Sequence, residues 1–111
     1  MAINSRRKGV VGEQELASKL RGYGYDCRRG QQFSGANGDA DVVGLPGVHL
    51  EVKRTERLSL YDALAQAISD AREGEIPVVA HRKNNADWVM IIRLDDFMEI
   101  YREWEAGQIT P

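Results

Sequence analysis

With 111 residues the chain has the length of one folding unit, and its 42% of hydrophobic residues can supply one core, so intrinsic disorder is excluded and a single domain over residues 1–111 is expected. Cys27 is the only cysteine, which rules out an intrachain disulfide and a cysteine-based zinc site. Without a signal-like leader or a long apolar run, the chain reads as a soluble intracellular protein with no membrane partner. The net charge of −2 hides an asymmetry: residues 1–57 carry net +3 and residues 58–111 net −5, which makes the first half the natural side for an anionic partner.

Residues 1–8 form a basic lead-in holding Arg6, Arg7 and Lys8, open between a solvated terminus and an arm that contacts phosphate. The spacing of Val10, Leu16, Ala17 and Leu20 predicts a helix over 9–23, closed by Gly22 and Gly24. Glu13 falls in that apolar stripe, three before Leu16 and four before Ala17. A carboxylate there either reaches past the helix edge to water or needs a metal, a cation or hydrogen-bond donors, because an unpaired buried charge is costly. Residues 25–29 read as a strand ending in Arg28 and Arg29, and 30–38 as a polar loop whose backbone and Ser34 either bind a phosphate or simply connect strands.

From Gly38 to Arg54 the chain reads as two short strands around Leu45-Pro46-Gly47, with Val42, Val43, Val48, Leu50 and Val52 as the β-prone body. Strand alternation puts Glu51 and Lys53 on one face and Leu50 and Val52 on the other, and a hairpin brings Asp41 beside Glu51 and Lys53. Arg54 and Arg57 add charge at the strand end, and Ser59 with Asp62 suggests a capping box opening a helix over 59–73. The next strand, 76–81, completes a β-α-β unit, so strands 48–53 and 76–81 should be parallel. A strand over 88–94, buried in part on both faces, and a helix over 96–105 capped by Asp95 finish the chain. The apolar side of that helix, Phe97, Ile100, Tyr101 and Trp104, either closes the core or extends an interface.

Two carboxylates with a neighbouring carbonyl suit a hard divalent cation, since Mg²⁺ takes one or two protein carboxylates and keeps several waters. Asp41, Glu51 and the Val52 carbonyl meet that need, and Lys53 stands where it can hold a water or stabilise charge on phosphorus. Glu13 can orient a water or share a second metal. The competing reading makes Asp41 a turn residue and Glu51 with Lys53 a surface cross-strand pair.

Asp41 followed by Glu51-Val52-Lys53 resembles the signature of the PD-(D/E)xK nuclease superfamily, with Ala40 where the motif name has Pro. Lys8-Gly9, Glu13, Ser34-Gly35, Leu60-Tyr61, Gly74-Glu75-Ile76-Pro77-Val78 and Trp88 extend the likeness to archaeal-type and phage Holliday junction resolvases over about residues 6–94. The helix from Asp95 onward lies outside it, and Asp39 and a longer polar loop depart from the pattern. The resemblance implies an α/β (α+β) restriction-endonuclease-like fold with a mixed sheet, element order α-β-β-β-α-β-β-α. It further implies a homodimer and Mg²⁺- or Mn²⁺-dependent cleavage of DNA, with the four-way junction as expected substrate. Asp41, Glu51 and Val52 would hold the metal, Lys53 would be the catalytic lysine and Glu13 an auxiliary carboxylate. Arg6, Arg7, Lys8, Arg28, Arg29, Ser34, Arg54 and Arg57 would contact DNA. Other nucleases of the superfamily, acting in repair, nicking or restriction, and a catalytically idle DNA-binding module share this fold.

Overall fold

A computed structural model describes residues 2–31 and 40–109, with side chains over 7–31 and 40–108. The elements run α1 (Ala2–Gly22), β1 (Arg28–Arg29), β2 (Val42–Val43), β3 (Val48–Arg54), α2 (Leu60–Asp70), β4 (Ile76–Arg82), β5 (Val89–Ile92) and α3 (Leu94–Ile109), the element order expected from the sequence. One mixed sheet takes them in chain order, β1-β2-β3-β4-β5. Only the β3–β4 pair is parallel, in register from Val48 opposite Ile76 to Arg54 opposite Arg82, because α2 carries the chain back across the sheet between them. The other three pairs are antiparallel.

The period-two pattern of β3 and β4 divides the core between the two sheet faces. Leu50, Val52, Val78 and Ala80 point to one face and pack with Val42, Cys27 and, from α1, Leu16 and Ala17. Val79 points to the other face, against Ala63 and Ala67 of α2. Burying a side chain such as Leu16 or Leu50 contributes roughly 1.5–3 kcal/mol. Glu51 pairs in register with Val79, so His49, Glu51 and Lys53 belong to the α2 face.

Two glycines set the close approaches. A Cβ on Gly12 would stand 2.6 Å from the Arg54 Cβ, so α1 lies against β3 only because residue 12 has no side chain. Gly44 has φ +108°, and a Cβ there would meet the Asp26 carbonyl oxygen at 2.2 Å. That approach lets the turn after β2 pass beneath the chain entering β1.

Several boundaries differ from the sequence reading. α1 begins at Ala2 rather than residue 9 and takes in the basic lead-in. Ser59 stands at the N-cap of α2 but its side chain makes no cap hydrogen bond; its hydroxyl donates to Asp62 Oδ2 at 2.7 Å, side chain to side chain. α3 starts at Leu94, which puts Asp95 in its first turn, where a carboxylate still suits the helix dipole. β5 is an edge strand: Val89 and Met90 are exposed, while Ile92 packs on the α1-side cluster and Ile91 on the α2-side cluster, the partial burial on both faces that the sequence predicts. α3 makes no extensive contact with another element among the described residues, and Phe97, Ile100, Tyr101 and Trp104 are all exposed. The last helix therefore does not close the core.

Gly12→Ala should lower stability by about 1–3 kcal/mol by pressing α1 away from β3. Gly9→Ala is the control, because a Cβ there meets nothing within 4 Å and alanine favours the helix. Thermal unfolding of the two variants should move in opposite directions.

Candidate active site

β2 is two residues long and pairs with β3 only through Val42 and Leu50. The Asp41 N–H still donates to the Leu50 carbonyl at 3.0 Å, but beyond it the strands part. There the Val52 N–H finds Asp41 Oδ2 at 2.8 Å. The aspartate side chain thus takes over from the β-ladder where backbone pairing ends, which holds Asp41 at the middle of β3 beside Glu51.

The surroundings of Asp41 are hostile to charge. Burial raises its pKa from 3.8 to about 6; the Val52 hydrogen bond opposes the rise, the Glu51 charge and a hydrogen bond to Glu51 add to it, and Lys53 lowers it again. The expected trio of Asp41, Glu51 and Lys53 is therefore brought together. Glu51 is 5% exposed. Two carboxylates buried side by side form a poor site for one another and a good one for a divalent cation, whose charge would let both ionise. The donor set of Asp41 and Glu51 fits Mg²⁺ or Mn²⁺ on that ground.

Glu13 arrives from α1, on the far side of the sheet edge. Its Oε1 accepts from Arg29 Nε at 2.9 Å, and its side chain is 15% exposed. Burial raises its pKa, the Arg29 hydrogen bond lowers it, and the nearby Asp41 charge raises it again. Glu13 is thus neither snorkelled into water nor unpaired, and it lies within electrostatic reach of Asp41.

The basic residues divide into two sets. Arg54 is largely buried and committed within the protein, with Nη2 donating to Asn84 Oδ1 at 3.1 Å and Nη1 to the Arg82 carbonyl at 3.4 Å. Arg29 is held by Glu13. Lys8, Lys53 and Arg57 line an open groove of about 590 Å³ along the end of β3, where Lys8 Nζ lies 3.6 Å from Glu56. Arg7 is exposed on α1, and Arg28 borders a separate cavity of about 360 Å³ with Asp70 and Glu75. The Arg6 side chain, Ser34 and Asp39 lie outside the described residues.

One feature of the site was missed by sequence reasoning. His49 is 4% exposed, and its Nε2 lies 2.8 Å from Glu51 Oε1. His49, Glu51 and Asp70 present ligand atoms within 4.8 Å of one another, an imidazole with two carboxylates on the side of Glu51 nearer the end of α2. The signal was present: His49 is two residues before Glu51, so strand alternation puts both on one face. Asp70 left no such signal, because its approach depends on how α2 returns across the sheet.

The arrangement is similar to that of the PD-(D/E)xK-fold nucleases. Among solved structures the chain resembles Hjc, a Holliday junction resolvase from the archaeal hyperthermophile Archaeoglobus fulgidus, with a TM-score of 0.57 and 26% sequence identity over 77% of this chain and 72% of that one. No family model and no curated protein matches the chain.

The raised pKa of Asp41 carries a consequence for stability. The folded protein keeps a proton that the unfolded chain releases between pH 4 and 6, so stability falls as pH rises through that window and the full penalty applies above about 6. Asp41→Asn keeps an acceptor for the Val52 N–H and removes the charge. Without divalent cations it should be more stable than the parent by on the order of 1–2 kcal/mol at pH 8 and no more stable at pH 4. Thermal denaturation at the two pH values checks this, and an equal offset at both would refute the electrostatic origin.

Proposed function

We propose that the protein is a divalent-metal-dependent DNA endonuclease that resolves four-way junctions as a homodimer. The observation that carries this reading is the convergence of half-buried Asp41 and buried Glu51 with Lys53 on a fold similar to that of a Holliday junction resolvase.

In this reading Asp41, Glu51 and the Val52 carbonyl hold Mg²⁺ or Mn²⁺. When bound, the ion polarises a phosphoryl oxygen and lowers the pKa of a water. Lys53 holds the attacking water or offsets charge gathering on phosphorus. Glu13, kept at the site edge by Arg29, orients a water. The groove lined by Lys8, Lys53 and Arg57 receives the DNA backbone, with Arg7 on α1 extending the positive surface; Arg6, Arg28 and Ser34 are further proposed contacts, Arg28 from the separate cavity it shares with Asp70 and Glu75. Arg29 and Arg54 act by supporting the site from within, given the partners they already have.

Two symmetric strands must be cut in a four-way junction, which suits a two-fold dimer. The apolar seam of α3 supports that assembly. Leu94, Phe97, Tyr101 and Trp104 are spaced three and four residues apart, the narrow stripe that a second helix fills, and all are exposed. The rings meet in sequence in tilted contacts, Phe97 to Tyr101 at 6.2 Å and Tyr101 to Trp104 at 5.6 Å between centroids. Met98 and Ile100 on the same helix are exposed as well, so its apolar residues are uncovered along most of its length. The helix carries Asp95, Asp96, Glu99, Glu103 and Glu105 against Arg102 alone, a charge balance that disfavours DNA and favours a protein as its occupant.

Labelled junction, duplex, flap and single-stranded DNA, each with Mg²⁺ or EDTA, test the activity. Paired symmetric cuts confined to the junction and abolished by EDTA are expected. Cutting without junction preference would point instead to another nuclease of this fold, and binding without any cutting to an idle DNA-binding module. Asp41→Asn should reduce cutting at least about 100-fold and leave junction binding intact. Joint replacement of Tyr101 and Trp104 by Ala should shift sedimentation from dimer to monomer; an unchanged dimer would remove α3 from the interface.

A further inference from the structure

Glu51 is a buried carboxylate, and a buried carboxylate needs donors to define its orientation. An ionised carboxylate only accepts hydrogen bonds, so toward an ionised Glu51 the 2.8 Å contact is made by the Nε2–H tautomer of His49 donating to Oε1. His49 is itself 4% exposed and sits on β3, two residues before Glu51. Its place is therefore set by the strand, not by a loop. On its other side, Nδ1 lies 3.8 Å from Glu75 Oε1, at the entry to β4. Glu75, His49 and Glu51 thus form a row leading inward to the metal-binding edge. Asp70 flanks that row at the end of α2.

We propose that His49 is the positioning residue of Glu51: by holding Oε1 it fixes the plane of the carboxylate, so that Glu51 meets the cation beside Asp41 already oriented. The proposal rests on Glu51 being a metal ligand, as argued above. Groups that hold a ligand from behind typically account for 10–100-fold in metal affinity, because without them the ligand must be ordered when the metal arrives. The same three residues offer a competing role, in which His49 and Asp70 ligate a cation directly, as imidazole with carboxylate suits Mn²⁺ or Zn²⁺. The two roles differ in what replaces His49. A glutamine can present an amide N–H close to where Nε2 stands and keep the hydrogen bond, whereas it makes a poor metal ligand.

The test is Mn²⁺ binding to the full chain, measured by calorimetry without DNA, alongside single-turnover cleavage at varied Mn²⁺ for the parent, His49→Ala, His49→Asn, His49→Gln, Asp70→Asn and Glu51→Gln. His49→Ala should weaken Mn²⁺ binding 10–100-fold and raise the Mn²⁺ needed for half-maximal cleavage equally, with junction affinity in Ca²⁺ within about twofold of the parent. His49→Gln should restore Mn²⁺ affinity to within about threefold, and Asp70→Asn should leave it unchanged. If His49→Ala does not fold, His49→Asn makes the same comparison, because its shorter amide cannot reach Glu51. Unaltered Mn²⁺ affinity in His49→Ala or His49→Asn would overturn the proposal. So would a failure of His49→Gln to restore it, and that failure joined to an equal loss in Asp70→Asn would assign His49 as a ligand instead. Glu51→Gln keeps the two levels apart: full cleavage in that variant would sink the metal-site reading itself, whereas a dead Glu51→Gln with a normal His49→Ala would sink only the positioning role.

Discussion

The hydrogen bond from the Val52 N–H to Asp41 Oδ2 is the contact on which the site depends. It exists because β2 stops after two residues and leaves β3 with a donor that no strand partner takes. A longer β2 would have paired that donor with backbone and left Asp41 free to turn to solvent. As it stands, the ladder's end fixes an aspartate against Glu51 in a setting too dry for two negative charges. The raised pKa of Asp41 is the signature of that conflict. A cation would relieve it, so the crowding of Asp41 against Glu51 is the feature that would favour a metal.

The rest of the molecule supplies the setting. α1 lies close enough to β3 to deliver Glu13 only because Gly12 has no side chain against Arg54. Arg54 in turn is held by Asn84 and the Arg82 carbonyl, which ties the end of β3 to the end of β4. The parallel β3–β4 pair is the stiff centre, buried on both faces, and the candidate residues project from it or lie against its edge. On the Lys53 side the surface opens into a basic groove, and on the His49 side it turns acidic with Asp70 and Glu75. Glu51 sits at the boundary, facing a cation site and a hydrogen-bonding histidine together. α3 stands apart from this division: it makes no extensive contact with another element among the described residues, and its aromatic seam is exposed.

Much of the fold could be read from local pattern. Alternation along 48–53 and 76–81 separated the two faces of the sheet, and the helix between them required a parallel crossover. Glu13 stood out because a charge in an apolar stripe demands a partner, although that this partner is Arg29 depends on α1 meeting β1. The pairing of Asp41 with Glu51 followed from the hairpin, and the place of Lys53 from the two-residue period. Where the reading failed, longer-range packing was responsible. Ser59 had a capping partner in sequence but met Asp62 side chain to side chain, and the last helix, open between closing the core and extending an interface, leaves Phe97, Ile100, Tyr101 and Trp104 exposed.

The chain by itself therefore determined the element order, the two-faced sheet and the meeting of Asp41, Glu51 and Lys53, because each follows from periodicities and turns that act over a few residues. Only the tertiary structure decided that β2 ends where it does, that His49 is buried against Glu51, that Arg54 and Arg29 are committed within the protein, and that α3 leaves its aromatic face uncovered. Those outcomes depend on which distant segments compete for the same donors and the same apolar surface, a competition that local pattern does not record.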